Sequence, residues 1–332
     1  MILQTPILAL LLAAALSNAV ALWTAWFGLR VLRGWDIASG SRAQLRLERR
    51  TGLASTLFGF VMLIQIAALL LFVFNADRMA TLFVGAMCAV GTLNVNAYGF
   101  PALYLKIAVF FAASLWLILD RVDRQGRDYP LTRLKFSGAL LIAPLVLTGA
   151  GTELAFFLGL KTDVITSCCS KMFTPANDGI AAEMTGTAPA TALWFLGLAG
   201  VAVAATGTVS LAAARLQWLF ALAGGVFFAA ALTAIVSVIS LYVYDHPNHH
   251  CPFCLLQREY GYVGYALYVP LFAGTALAMG AGLLSLFAGT GSLATVLPGA
   301  LRRLVWASLI CHGLFGAVVL SVIATSRLVL FG

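Results

Sequence analysis

The sequence predicts an all-α fold, a polytopic transmembrane helical bundle of about eight spans with one re-entrant or interfacial segment. Three observations carry that expectation. Hydrophobic residues make up 62% of the 332 and charged residues 10%, with a mean hydropathy of +0.98, a balance that water-soluble domains do not show. Runs such as 220–241 are continuously apolar, whereas strands of a membrane barrel alternate apolar and polar residues. The arginines cluster between the runs, so the +8 charge speaks to orientation in a membrane before any nucleic-acid partner. Neither a nucleotide-binding glycine loop nor a soluble domain is visible.

Apolar runs place spans near 7–30, 52–74, 102–119, 136–158, 190–214, 217–243, 255–286 and 304–330, each long enough for a hydrocarbon core of ~30 Å. The start resembles a cleavable leader only superficially, because it lacks a positive n-region, and it is read as a retained first span. Arg30, Arg33, Arg42, Arg46, Arg49 and Arg50 fall in one loop, and Arg121, Arg124, Arg127, Arg133 and Lys135 in another. With Arg215, Arg302 and Arg303 they put 14 of 20 basic residues on one face, which the positive-inside rule makes cytoplasmic. Both termini are then expected outside a bacterial inner membrane.

The stretch 79–101 is too short and too broken by Gly91, Asn94, Asn96, Gly99 and Pro101 to cross, and gives the re-entrant or surface segment. Two parts follow. Residues 1–135 form an N-terminal membrane part of three spans with the broken segment, and 136–332 a C-terminal bundle that holds five of the six cysteines and all four histidines. Cys88, Cys168, Cys169, Cys251 and Cys254 are all expected at the outer face, where disulfides persist. Cys311 sits in the last span beside His312 and is read as packing.

The densest chemistry lies in Asp245-His-Pro-Asn-His-His-Cys251-Pro-Phe-Cys254-Leu-Leu-Gln-Arg258. Two thiols separated by two residues can close a small disulfide ring or grip a soft metal. Pro252 suits the first turn of a helix, so Cys251 is expected at its N-cap, where the dipole favours thiolate, with Cys254 one turn inside. Arg258 would share a helical face with Cys254 and point back toward the sulfur.

That string, between two apolar runs, resembles the DsbB family of membrane thiol oxidases over about 20 residues. The vicinal pair Cys168 and Cys169 comes before the C-x-x-C, an order similar to the vitamin K epoxide reductase group. The resemblance implies a membrane thiol–disulfide oxidoreductase. In it Cys251 and Cys254 exchange electrons with a bound quinone beside Arg258, and Cys168 and Cys169 receive them from a periplasmic thioredoxin-like partner. Tyr262 and Tyr265, with Tyr260 and Tyr268, are either interfacial aromatics or the walls of a quinone pocket.

The same residues admit other readings. His246, His249 and His250 with Cys251 and Cys254 suit copper, zinc or mercury, which makes metal handling the alternative function. A subunit with structural disulfides is the third. Cys88 either lines a cavity or is a buried structural thiol. Lys106, a few residues into a span, either anchors to headgroups or places a charge in the interior.

Overall fold

The computed structural model describes residues 3–161, 164–166 and 180–330. Among the described residues all regular structure is helical: α1 (Thr5–Gly34), α2 (Arg42–Met79), α3 (Ala89–Leu93), α4 (Gly99–Asp123), α5 (Thr132–Leu158), α6 (Ile180–Gly186), α7 (Pro189–Ala212), α8 (Gln217–Ala234), α9 (Ser240–Tyr244), α10 (Val263–Ser285) and α11 (Leu293–Thr325). A π-helical turn, Ile235–Ile239, joins α8 to α9. Eight of the helical stretches are long and apolar enough to cross a bilayer, with Gln217–Tyr244 counted as one. The protein is therefore a multi-pass all-α membrane protein, as the apolar runs predict.

Three spans differ in extent from the sequence reading. The second begins at Arg42 rather than near 52, so that Arg42, Arg46, Arg49 and Arg50, read as loop residues, lie within α2. The seventh begins at Val263 rather than near 255, and the eighth already at Leu293, so that Arg302 and Arg303 lie within α11. In the broken stretch 79–101 a 3-10 turn, Ala80–Leu82, and the five-residue α3 precede α4. Neither is long enough to span.

The chain divides into two compact units that gather non-contiguous segments, whereas the division read from the sequence followed chain order at residue 135. The first unit comprises 1–75, 95–161 and 287–300, and the second 76–94, 162–286 and 301–332. In the first, α1 and α4 pack on α5. Their core centres on Trp116 and Phe58, whose rings meet edge to face at 4.7 Å between centroids, and the indole Nε1 donates to the Lys135 carbonyl at 2.9 Å. That bond satisfies the one polar atom of a large buried aromatic.

Buried charge closes the α4–α5 connection. Asp123 accepts bonds from the Leu131 N–H at 2.8 Å and the Thr132 hydroxyl at 3.2 Å, which takes up one backbone N–H at the start of α5. Lys135 reaches both Asp123, at 2.8 Å, and Asp120, at 3.0 Å. Lys135, which the sequence places among loop charges, is thus a buried first-turn residue of α5 held between two carboxylates.

In the second unit α8 packs on α7 and α10. Gly224 of α8 lets the Ala278 methyl of α10 approach so closely that an added Cβ would stand 2.8 Å from it. Small residues at the seam let helix backbones come together where lipid supplies no hydrophobic drive. Asp245, in the left-handed conformation with φ 49°, ends α9. Its carboxylate accepts the Ser326 hydroxyl at 2.5 Å and the Arg327 N–H at 3.0 Å. These bonds hold the Asp245 carboxyl below the usual carboxylate range.

Candidate functional site

The second unit brings three cysteines together from two segments. The Sγ atoms of Cys88, Cys251 and Cys254 all lie within 4.8 Å of one another, and Cys88 and Cys251 are in contact at 3.5 Å. Relative exposures are 0%, 0% and 4%, so the trio is closed off from the surface. A covalent S–S bond measures ~2.05 Å, and no pair among the described residues is at that distance.

The C-x-x-C arm is shaped by side chains distant in sequence. The Tyr244 hydroxyl, at the end of α9, donates to the Cys251 carbonyl at 2.5 Å, and the Tyr268 hydroxyl of α10 donates to the Pro252 carbonyl at 2.9 Å. Residues 254–256 and 258–260 then form two separate 3-10 turns. Gly261 and Tyr262 are both left-handed, with φ 63° and 57°, before α10 starts. The expected helix N-terminus at Cys251 is therefore not formed. The physical reason is that the carbonyls of Cys251 and Pro252, which a helix would use, accept tyrosine hydroxyls instead.

Arg258 follows from the same correction. It stands exposed on the second 3-10 turn rather than one helical turn from Cys254. Among the described residues no hydrogen bond or ion pair engages its side chain. Tyr262 is exposed and Tyr265 half-buried, their rings 6.2 Å apart.

The Cys88 arm needs one glycine. Gly85 has φ +86°, a region that costs any other residue, and an added Cβ there would overlap the Thr166 carbonyl oxygen. The turn is pinned by the Thr166 N–H donating to the Val84 carbonyl at 3.0 Å. Cys88 is then presented in extended conformation as α3 begins. Gln257 ties the arms together: its side-chain amide donates to Asp77 Oδ1 and to the Met87 carbonyl, each at 3.0 Å.

The histidines divide. His250 Nδ1 lies 3.0 Å from the Val236 carbonyl in the π turn. That oxygen can only accept, so Nδ1 is the donor in this contact. π turns mark functional sites often enough that this contact is informative. His249 stacks on Tyr244 with centroids 4.0 Å apart. Burial is the main reason its pKa lies below the usual imidazole value; a charge on Cys88 acts the opposite way, and His246 and His250 add to the depression. His246 is exposed.

Cys168 and Cys169 lie outside the described residues; Thr166, two positions earlier, is the described end of their segment on this site. Lys106 belongs to the first unit, where it pairs with Glu153 at 3.0 Å rather than anchoring at a headgroup. Cys311 and His312 flank Gly274 across the α10–α11 contact, as packing would have them.

Sequence reasoning missed Gln257, Tyr244 and Asp77. Gln257 lies inside the string already singled out, and a long amide beside a C-x-x-C was the available signal. Nothing local marks Tyr244 or Asp77.

Chemically, three thiolates at these separations suit a soft ion. An ion bound ~2.3 Å from each of three sulfurs in a trigonal plane sets the sulfurs ~4.0 Å apart. The contact of 3.5 Å and the 4.8 Å limit bracket that spacing. No protein-family model, curated protein or solved structure matches the chain.

Proposed function

We propose that the chain is a membrane metal-handling protein that holds a soft, thiophilic ion of the copper(I) class between Cys88, Cys251 and Cys254. The observation that carries this reading is the convergence of three buried sulfurs within 4.8 Å from segments 163 residues apart. Burying a thiolate is costly without a compensating cation, and soft sulfur ligands favour copper(I) over harder ions. A zinc ion would need a fourth ligand, and among the described residues only the three sulfurs gather within 4.8 Å of one another. Cys168 and Cys169 are proposed as the donors that hand the ion over, since a vicinal thiol pair suits the same soft ion.

The site is assigned to the non-cytoplasmic face of a bacterial inner membrane, with both termini on that side. Cys88 follows the second span, the vicinal pair the fourth and the C-x-x-C the sixth, so one parity serves all five cysteines. The arginines at the facing ends of the first and second spans, and those at and around the connection between the third and fourth, supply the cytoplasmic bias.

The test is metal loading of reduced, detergent-purified protein with copper(I), read by elemental analysis and X-ray absorption. About one ion per chain with sulfur scatterers at ~2.3 Å is expected. Each of Cys88→Ser, Cys251→Ser and Cys254→Ser should weaken retention, and His246→Ala should not. Reduced protein that takes up no ion, or retention indifferent to all three substitutions, overturns the reading.

A second reading is favoured by the 3.5 Å contact between Cys88 and Cys251. In thiol–disulfide chemistry those two thiols would lose two electrons and two protons to a membrane quinone, giving a Cys88–Cys251 disulfide and quinol, with a periplasmic thioredoxin-like partner supplying electrons through Cys168 and Cys169. It predicts that adding quinone to metal-free protein protects Cys88 and Cys251 together from alkylation. Quinone without effect leaves the metal reading alone.

A further inference from the structure

The first unit buries an ion pair at a depth where charge is expensive. Lys106 Nζ meets Glu153 Oε2 at 3.0 Å, and the side chains are 6% and 2% exposed. Both lie within helices that qualify as membrane spans, α4 and α5. Ionisable residues inside spans are costly enough that they mark proton, ion or substrate sites. The pair uses only one of the two carboxylate oxygens. Glu153 Oε1 is buried and has no hydrogen-bond partner among the described residues, an omission that is ordinarily costly.

That oxygen belongs to a residue lining a small cavity. Ala14 of α1, Gln65 of α2, Lys106 of α4, and Gly149, Ala150 and Glu153 of α5 form its wall, around a volume of about 10 Å³. This is space for the centre of roughly one water, and such a water needs two to four polar partners. Gln65, the carboxylate and the ammonium group provide them. Lys106 is the one ionisable residue facing Glu153 among the cavity-lining residues of those four helices.

We propose that Glu153 is a proton-binding site within the membrane, reached through a single water held between its free oxygen and Gln65. The proton arrives from hydronium at that water; the carboxylate becomes a carboxylic acid, the water is left neutral, and no electrons move. Lys106 is then without its anion but not without support. Its ammonium lies 5.3 Å from the centroid of the Phe72 ring, and this cation–π contact persists whether Glu153 is charged or not. The site thus has two charge states, each with a partner for the lysine, which a purely structural ion pair does not require. The inference is independent of the thiol site.

Difference infrared spectroscopy of the purified protein in lipid tests it. A protonated-carboxyl band should grow as pH is lowered and should shift on transfer to heavy water, because the cavity water exchanges the proton. Labelling glutamate with carbon-13 should move the band in the native protein, so that assignment does not hinge on a variant folding. Glu153→Gln should abolish it. Lys106→Met, which removes the charge favouring carboxylate, should raise its midpoint by at least about one pH unit, and Gln65→Leu should slow deuterium exchange while leaving the band. Absence of a glutamate carboxyl band across the stable pH range overturns the proposal, as does a band that survives Glu153→Gln or never exchanges.

Discussion

The position of Cys88 is expected to depend on one backbone torsion, and Gly85→Ala tests that dependence without touching a sulfur. Alanine at φ +86° costs about 1–2 kcal/mol. Its Cβ also overlaps the Thr166 carbonyl oxygen, so the two segments must part, and the Thr166 to Val84 hydrogen bond goes with the contact, at about 0.5–1.5 kcal/mol. Together these amount to roughly 1.5–3.5 kcal/mol, which corresponds to an affinity loss of about ten- to four-hundred-fold if it falls wholly on the ordered site. Competition titration of copper(I) against a chelator of known affinity gives the readout, with Cys88→Ser as the reference for complete loss of the third ligand. Gly85→Ala should weaken binding in that range while Cys251 and Cys254 still hold the ion. Native affinity in Gly85→Ala alongside weakened binding in Cys88→Ser would refute the claim that this turn positions the thiol. Native affinity in both would remove Cys88 from the ligand set.

Gln257→Ala removes the bonds to Asp77 and Met87; a loss of about 1–3 kcal/mol and faster alkylation of Cys88 are expected, read by thermal unfolding and mass spectrometry. Asp123→Ala leaves buried Lys135 with one carboxylate of two and orphans the Leu131 N–H, and should destabilise the protein by about 3–5 kcal/mol in a denaturation series. His249 has its pKa depressed in the fold, so the unfolded chain binds the proton more readily. Its contribution is therefore neutral above about pH 6.5 and becomes destabilising as pH falls below that value. The melting temperature of the native protein should drop relative to His249→Gln between about pH 7.5 and pH 5.5, and parallel curves would contradict the assignment.

Hydropathy makes the eight spans legible because lipid forces every backbone group into helical pairing, so apolar length alone announces a helix. Helix ends are another matter. Pro252 and the run after Cys254 satisfy local rules for a helix start, yet α10 begins only at Val263. The competing donors are Tyr244 and Tyr268, 7 and 16 residues from the carbonyls they bind, and their hydroxyls enter no local pattern. Lys135 was misplaced for a similar reason: a basic residue near arginines reads as solvated until Asp120 and Asp123 are seen to enclose it. The gathering of Cys88 with the C-x-x-C was legible only through span parity, which assigns a face and not a distance.

This misread helix end bears on the chemistry. A C-x-x-C at a helix N-terminus gains thiolate character from unpaired N–H groups and the dipole, which is what exchange with a disulfide requires. Here Cys251 sits in a loop and Cys254 in a single 3-10 turn, while Arg258 is turned out to the surface. A cation placed among three buried sulfurs would stabilise them as thiolates. The helix end and the outward Arg258 are thus the features that the proposed metal reading does not need, since coordination asks only that the three sulfurs converge.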